Sequence, residues 1–263
     1  MRNLLIFAGL LLLASACAKP PAPPPVKREV RVAAAADLQY VFPDLTAAFA
    51  KQHPEIDVKA TFGSSGSFFA QLSNRAPFDL FLSADVEYPR KLVATGQGEA
   101  GSEFVYALGR IVLWVPNSSK LDLPIQGFQA LLDPSVHKIA LANPRFAPYG
   151  RLAEAALRKQ ALFEKVQDRL VLGENIAQAA QFVETGAADI GVLAHSLTQS
   201  PRMRDKGRSW MIPADAHPQL EQGGVILTWA QDKGAAQAFR AFLSSEAGRA
   251  VLRQSGFDLP KAE

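Results

Sequence analysis

The residues of this chain that could do chemistry are backbone donors, set out at four junctions where an apolar run gives way to a turn and then to a helix-like segment. After Val30 to Ala36 comes Asp37, and after Val58 to Phe62 come Gly63, Ser64, Ser65, Gly66 and Ser67. After Ile139 to Ala142 the chain reads Asn143, Pro144, Arg145, Phe146, Ala147, Pro148, Tyr149, Gly150; after Leu170 to Leu172 it reads Gly173, Glu174, Asn175, Ile176. The first N–H groups of a helix have no partner within it and carry about half a positive charge, so such an end holds an anion without any Lys or Arg. Two such ends in each half of the chain suit closure on one small anion. Taken singly, Asp37, Ser65 and Asn175 also read as ordinary N-caps.

Reactive side chains do not assemble into an enzyme pattern. Gly63 to Ser67 fails G-x-S-x-G at its fifth position, which is Ser67. His53, His137, His195 and His217 lack paired zinc spacing. There is neither a G-x-x-x-x-G-K-[ST] loop nor a dinucleotide fingerprint, so the chain reads as a non-enzyme that needs no cofactor. Tyr40, Tyr88, Tyr106 and Tyr149 raise a second idea, ferric iron held by phenolates, but their spacing fits packing instead.

The elements that must position the four junctions alternate. Val30 to Ala36, Phe78 to Ser83, Ile111 to Val115, Ile139 to Ala142, Ile190 to Ala194 and Val225 to Trp229 read as buried strands. Leu45, Ala48, Phe49; Phe68, Phe69, Leu72; Ile176, Ala179, Ala180, Val183; and Phe239, Phe242, Leu243 have helical spacing. This order predicts an α/β fold with mainly parallel sheets flanked by helices, whose ligands bind beyond the carboxyl ends of the strands.

Residues 1–17 read as an export signal: Arg2, an apolar run from Leu4 to Leu13, then Ala14, Ser15, Ala16 and Cys17. The run is shorter than the roughly 20 residues a membrane span needs. Cys17, the sole cysteine, stands where a lipobox places its lipidated residue, while Ala14 to Ala16 also read as a simple A-x-A cleavage site. Prolines 20, 21, 23, 24 and 25 make 18–29 an extended spacer. The formal charge of +3 is spread without basic clusters, which argues against nucleic-acid binding.

Six segments together resemble the periplasmic molybdate-binding proteins (ModA) of the type II solute-binding fold. They are VAAAADL (Val32 to Leu38), FGSSGSFFAQ (Phe62 to Gln71), APFDLFLSAD (Ala76 to Asp85), APYG (Ala147 to Gly150), NIA (Asn175 to Ala177) and AADIGVLA (Ala187 to Ala194). The resemblance runs from about Val30 to Phe257. It implies two lobes, 30–108 with 222–260 and 109–221, hinged by two crossing segments. It further implies a monomeric periplasmic or envelope protein that takes molybdate or tungstate to the membrane permease of an ABC transporter. Carried over by position, the Ser65 hydroxyl and amide, the amides near Ala36 and Asp37, and the amides of Tyr149 and Ile176 contact the oxyanion.

Two positions depart from the family pattern. Ala194 stands where some members use a Tyr hydroxyl, and Asp37 where many have Ser or Asn. At an effective dielectric near 20, a unit charge about 4 Å from another costs about 4 kcal/mol, and about twice that against a dianion. Three arrangements meet this difficulty: Asp37 caps its own helix and points away, it accepts a proton from hydrogen phosphate or arsenate, or it is itself protonated and donates to the ligand. The first is the expectation carried forward, with a Tyr149 hydroxyl that plays no part.

Overall fold

The computed structural model describes residues 28–261. Cys17, the export signal and all but the last two residues of the spacer lie outside them. Arg28 and Glu29, expected in the spacer, already belong to the first strand.

Two five-stranded sheets organise the chain. The first contains β1 (Arg28–Ala35), β2 (Ile56–Gly63), β3 (Leu80–Ser83), β4 (Phe104–Gly109) and β10 (Leu220–Ile226), in the order β2-β1-β3-β10-β4. The second contains β5 (Ile111–Pro116), β6 (Ile139–Ala142), β7 (Leu170–Gly173), β8 (Ile190–Ala194) and β9 (Gly207–Met211), in the order β7-β6-β8-β5-β9. Each sheet keeps a parallel trio, β2-β1-β3 and β7-β6-β8, and adds two antiparallel strands. The sheets are therefore mixed. The chain passes from the first to the second at Gly109–Arg110 and returns between Met211 and Leu220, so Gly109, Leu220 and Glu221 sit in the first sheet.

Helices cover these sheets because their apolar residues recur at helical spacing. Flanking the first are α1 (Phe42–Ala50), α2 (Ser65–Ser73), α3 (Glu87–Ala94), α9 (Lys233–Ser244) and α10 (Glu246–Gln254). The second carries the short α4 (Leu123–Gln126), α5 (Pro148–Lys159), α6 (Phe163–Val166), α7 (Ile176–Glu184) and α8 (His195–Thr198). Phe42 and Phe49 of α1 meet Phe239 of α9 edge-on, at 5.9 and 5.1 Å between ring centroids, an arrangement the aromatic quadrupole favours. Among the described residues no helix is long and apolar enough to cross a membrane.

The strand expected at Val225 to Trp229 runs instead from Leu220 to Ile226. Leu227 leaves the ladder to donate its amide to the Asp79 carbonyl. The Asp79 side chain is 1% exposed and ties this part of the first sheet together. It accepts the Arg31 amide at 2.8 Å, the Arg31 guanidinium at 3.1 Å on both oxygens, and the Gln231 amide at 2.8 Å. Burial pushes this carboxyl up, but the Arg31 bonds and the two amides outweigh it and hold the group below its usual range. Removing one member of a buried pair leaves the other uncompensated, so Asp79→Ala should lower unfolding free energy by about 3 kcal/mol. Denaturant unfolding near neutral pH checks this; a loss confined to a few tenths would place the pair among ordinary surface contacts.

Candidate functional site

The carboxyl ends of the parallel trios of the two sheets face each other. From β1 the chain enters a 3-10 turn at Ala36–Leu38, from β2 it enters α2, from β6 a loop leads to α5, and from β7 it enters α7. These four ends surround one small cavity, and Ala36, Asp37, Ser65, Tyr149 and Ile176 all stand on its wall. The cavity has a volume of about 200 Å³. The space suits a solute of a few atoms. Among the described residues no Lys, Arg or His lines it.

The donors are first-turn amides. The N–H groups of Ser65, Tyr149 and Ile176 have no hydrogen-bond partner among the described residues, as expected for positions that lie too early in a helix for an internal acceptor. The Ser65 hydroxyl accepts the Ala84 amide at 2.9 Å, so its own proton remains available for a further acceptor. Asn175 is a true N-cap, accepting the amides of Ala177 and Gln178 at 3.0 Å each. Its side chain is thereby occupied and the Ile176 amide is left bare.

Asp37 departs from the expected capping role. Its carboxylate makes no cap bond; instead Oδ2 accepts the Tyr149 hydroxyl at 3.0 Å and Gln222 Nε2 at 2.6 Å. Gln222 Nε2 also donates to the Tyr149 oxygen at 2.8 Å, while Gln222 Oε1 lies 3.0 Å from the Tyr106 hydroxyl. The phenol of Tyr149, expected to be idle, thus holds the carboxylate from the opposite lobe. The physical reason is reach: Asp37 lies buried in a tight turn, and the side-chain donors within hydrogen-bond distance come from α5 and β10. Asp37 is 1% exposed and its Oδ1 has no partner among the described residues. Burial pushes this carboxyl up to about 6, against the opposing bonds from Gln222, Tyr149 and its own amide. Burial and the neighbouring Asp37 charge drive the Tyr149 and Tyr106 phenols well above their ordinary value.

Gln222 was not among the residues singled out from sequence, and Tyr106 entered there only as a candidate iron phenolate, not as a partner of Gln222. Gln222 reaches the site because the β10–β4 register shifts between Gln222 and Gly223, and a bulge of this kind re-aims a side chain. Room for the cluster comes from Gly109, where a Cβ would stand 2.7 Å from the Tyr149 oxygen.

The lobes also touch directly at the rim. Gly66 donates its amide to the Phe146 carbonyl at 2.9 Å, and the Ser64 hydroxyl donates to the same oxygen. A Cβ at Gly66 would stand 2.6 Å from that carbonyl, so only glycine permits this approach. On the other side Arg151 pairs with Asp85 at 2.7 Å and donates to the Tyr88 hydroxyl at 3.1 Å.

Two mixed α/β lobes, two chain crossings and an interlobe cavity define the class: a periplasmic solute-binding protein. Residues 30–258 match the family of bacterial extracellular solute-binding proteins. The molybdate-binding protein ModA of Azotobacter vinelandii is 38% identical over 253 residues, 96% of this chain and 94% of the relative. ModA of Rhodobacter capsulatus is 35% identical over 200 residues, 76% of this chain and 77% of the relative. The solved structure of the Azotobacter vinelandii periplasmic molybdate-binding protein superposes with a TM-score of 0.81 at 31% identity, covering 88% of this chain and 100% of that one. The chain belongs to the bacterial extracellular solute-binding protein family and, within it, to the ModA group.

An ionised, half-satisfied carboxylate in this cavity is costly, and its pH dependence follows from sign. The folded value near 6 lies above the ordinary 3.8, so the folded state binds the proton more tightly than the unfolded chain. Wild-type stability is therefore penalised above pH about 6, by about 3 kcal/mol, and the penalty fades as pH falls toward about 4. Asp37→Asn keeps an acceptor for Tyr149 and Gln222 and removes the charge. Unfolding of the anion-free protein should show the Asn variant more stable at pH 8, with the gain vanishing in acid. A variant equal to or weaker than wild type at pH 8 refutes the assigned environment.

Proposed function

We propose that this chain captures a tetrahedral oxyanion, molybdate or tungstate, outside the cytoplasm and presents it to the membrane permease of an ABC transporter. The observation that carries the reading is the meeting of three first-turn amides without partners among the described residues, one from the first lobe and two from the second, with the free Ser65 proton at one small cavity. Neutral donors of this kind hold a small dianion through hydrogen bonds and helix ends, with no cationic side chain. The relatives named as molybdate-binding proteins point the same way. Ala36, Asp37, Ser65, Tyr149 and Ile176 form the binding set. The two crossings at Gly109–Arg110 and between Met211 and Leu220 serve as the hinge, so closure of the lobes completes the set.

The remaining features belong to the same reading. The protein acts as a monomer without a cofactor, and Cys17 carries a lipid tether separated from the lobes by the proline spacer. Ferric iron is disfavoured because the two buried phenols, Tyr106 and Tyr149, are held protonated and already hydrogen-bonded.

Calorimetric titration of the soluble chain with molybdate, tungstate and sulfate tests the proposal. Molybdate and tungstate should bind tightly and sulfate weakly or not at all; no heat and no thermal shift with either metal oxyanion defeats it. Ser65→Ala removes a hydrogen bond to a charged group and should weaken binding by about 1.5 to 3 kcal/mol. An unchanged affinity in that variant would remove Ser65 from the site.

A further inference from the structure

One feature of the cavity sits badly with a site for dianions. Asp37 stands on its wall, 1% exposed, with both of the side-chain hydrogen bonds it receives falling on Oδ2 and Oδ1 left without a partner among the described residues. A bare carboxylate oxygen among unpartnered amides repels a bound anion in a medium where that repulsion is poorly screened. A protonated one offers it a short O–H donor. We propose that Asp37 Oδ1 and the bound oxyanion share one proton, so that this site takes up its anion together with a proton. This rests on the oxyanion reading above and deepens it.

The hydrogen-bond network selects which oxygen carries the proton. Tyr149 and Gln222 both direct donors at Oδ2, and Gln222 is oriented by its Oε1 facing the Tyr106 hydroxyl. Oδ1 alone remains free to bind hydrogen. In the step itself one O–H bond forms at Oδ1 and donates to an oxygen of the anion. With molybdate or tungstate the proton comes from solvent. Hydrogen phosphate and hydrogen arsenate bring it with them and donate to an ionised Oδ1. The shared chemistry is one proton between two oxygens.

Asp37 is the group positioned to titrate in this way. The Tyr149 and Tyr106 phenols are pushed up by burial and by the Asp37 charge, and stay protonated. On α8, His195 lies against Gly256, with its amide on the Arg110 carbonyl, and burial followed by the Arg110 charge pushes it down. Glu184 at the far end of α7 pairs with Arg202 and Lys206. Arg151 of α5 is taken by Asp85. Asp57 and Lys59 lie toward the opposite end of β2, where Lys59 pairs with Glu29. Glu221, beside Gln222, lies near Arg90 at the surface. Tyr40, beyond the 3-10 turn, stacks under Arg202.

The test is titration of the soluble chain with tungstate across pH about 6 to about 8.5, in two buffers of different ionisation enthalpy, with a parallel titration by hydrogen phosphate. The free carboxyl near 6 sets the expected window: affinity changing least at the acid end of the range, then weakening by up to about tenfold per pH unit above it. Tungstate should take up close to one proton at pH 8, and hydrogen phosphate, if bound, close to none. Asp37→Asn should bind tungstate with no proton uptake and no pH slope, its Nδ2 replacing the O–H donor. Wild-type tungstate binding that is flat with pH and free of proton uptake overturns the proposal while leaving the oxyanion reading intact, as does an Asn variant that retains the slope. Absence of binding by every oxyanion at every pH overturns both.

Discussion

An amide in the first turn of a helix lies too early in it to find an acceptor within that helix, and when that turn is buried its free energy depends on what else faces it. In this protein three such amides, those of Ser65, Tyr149 and Ile176, converge from two separate sheets. Each is delivered by a strand running into a helix, so the parallel trios of both sheets are built to aim their carboxyl ends at the same point. The antiparallel strands do other work. β4 and β5 carry the chain across, and β10 brings it back with Gln222 at the bulge. The positions of the glycines follow from this convergence, since Gly109 leaves space for the Tyr149 hydroxyl and Gly66 lets α2 approach the opposite loop.

Within that ring of donors, Asp37 is a charged group of the wrong sign for an anion site, and the protein surrounds one of its oxygens only. Tyr149 reaches it from the second lobe and Gln222 from the last strand of the first, with Tyr106 behind. The cluster therefore joins both lobes and both crossings through a single carboxylate oxygen. The phenol of Tyr149 stands in a cavity wall otherwise rich in small residues, among them Ala35, Ala36, Ala84 and Ala147.

The parts of this arrangement that were legible in the sequence are those whose cause is local. A run such as Ile139 to Ala142 followed by a turn and Pro148 announces a buried strand and a helix start within a dozen residues; four such junctions were legible in this way, and the family likeness picked out within them Ala36, Asp37, Ser65, Tyr149 and Ile176, which all stand on one cavity wall. The orientation of Asp37 was not legible, because its partners lie 112 and 185 residues away in sequence. The capping preference of Asp is a local tendency, and two distant donors outcompete it. Gln222, followed by two glycines, carries the look of a turn and becomes a strand residue only because β3 and β4 flank it. β9 was hidden for a related reason: its residues Gly207 to Met211 are only partly buried at a sheet edge and lack the apolar run that marks the buried strands.

The contact at the rim has an asymmetry of its own. Ser64 and Gly66 supply a hydroxyl, an amide and the absence of a side chain, whereas Phe146 supplies only its main-chain carbonyl. Every residue type presents that carbonyl, so the joint is encoded on one side. Exchanging the loop of the second lobe among related chains preserves it so long as the backbone path is kept, and the two halves of this joint have no need to change together. The whole inheritance of the contact rests on two positions in the first lobe, one tolerant of any small hydroxyl residue and the other of glycine alone.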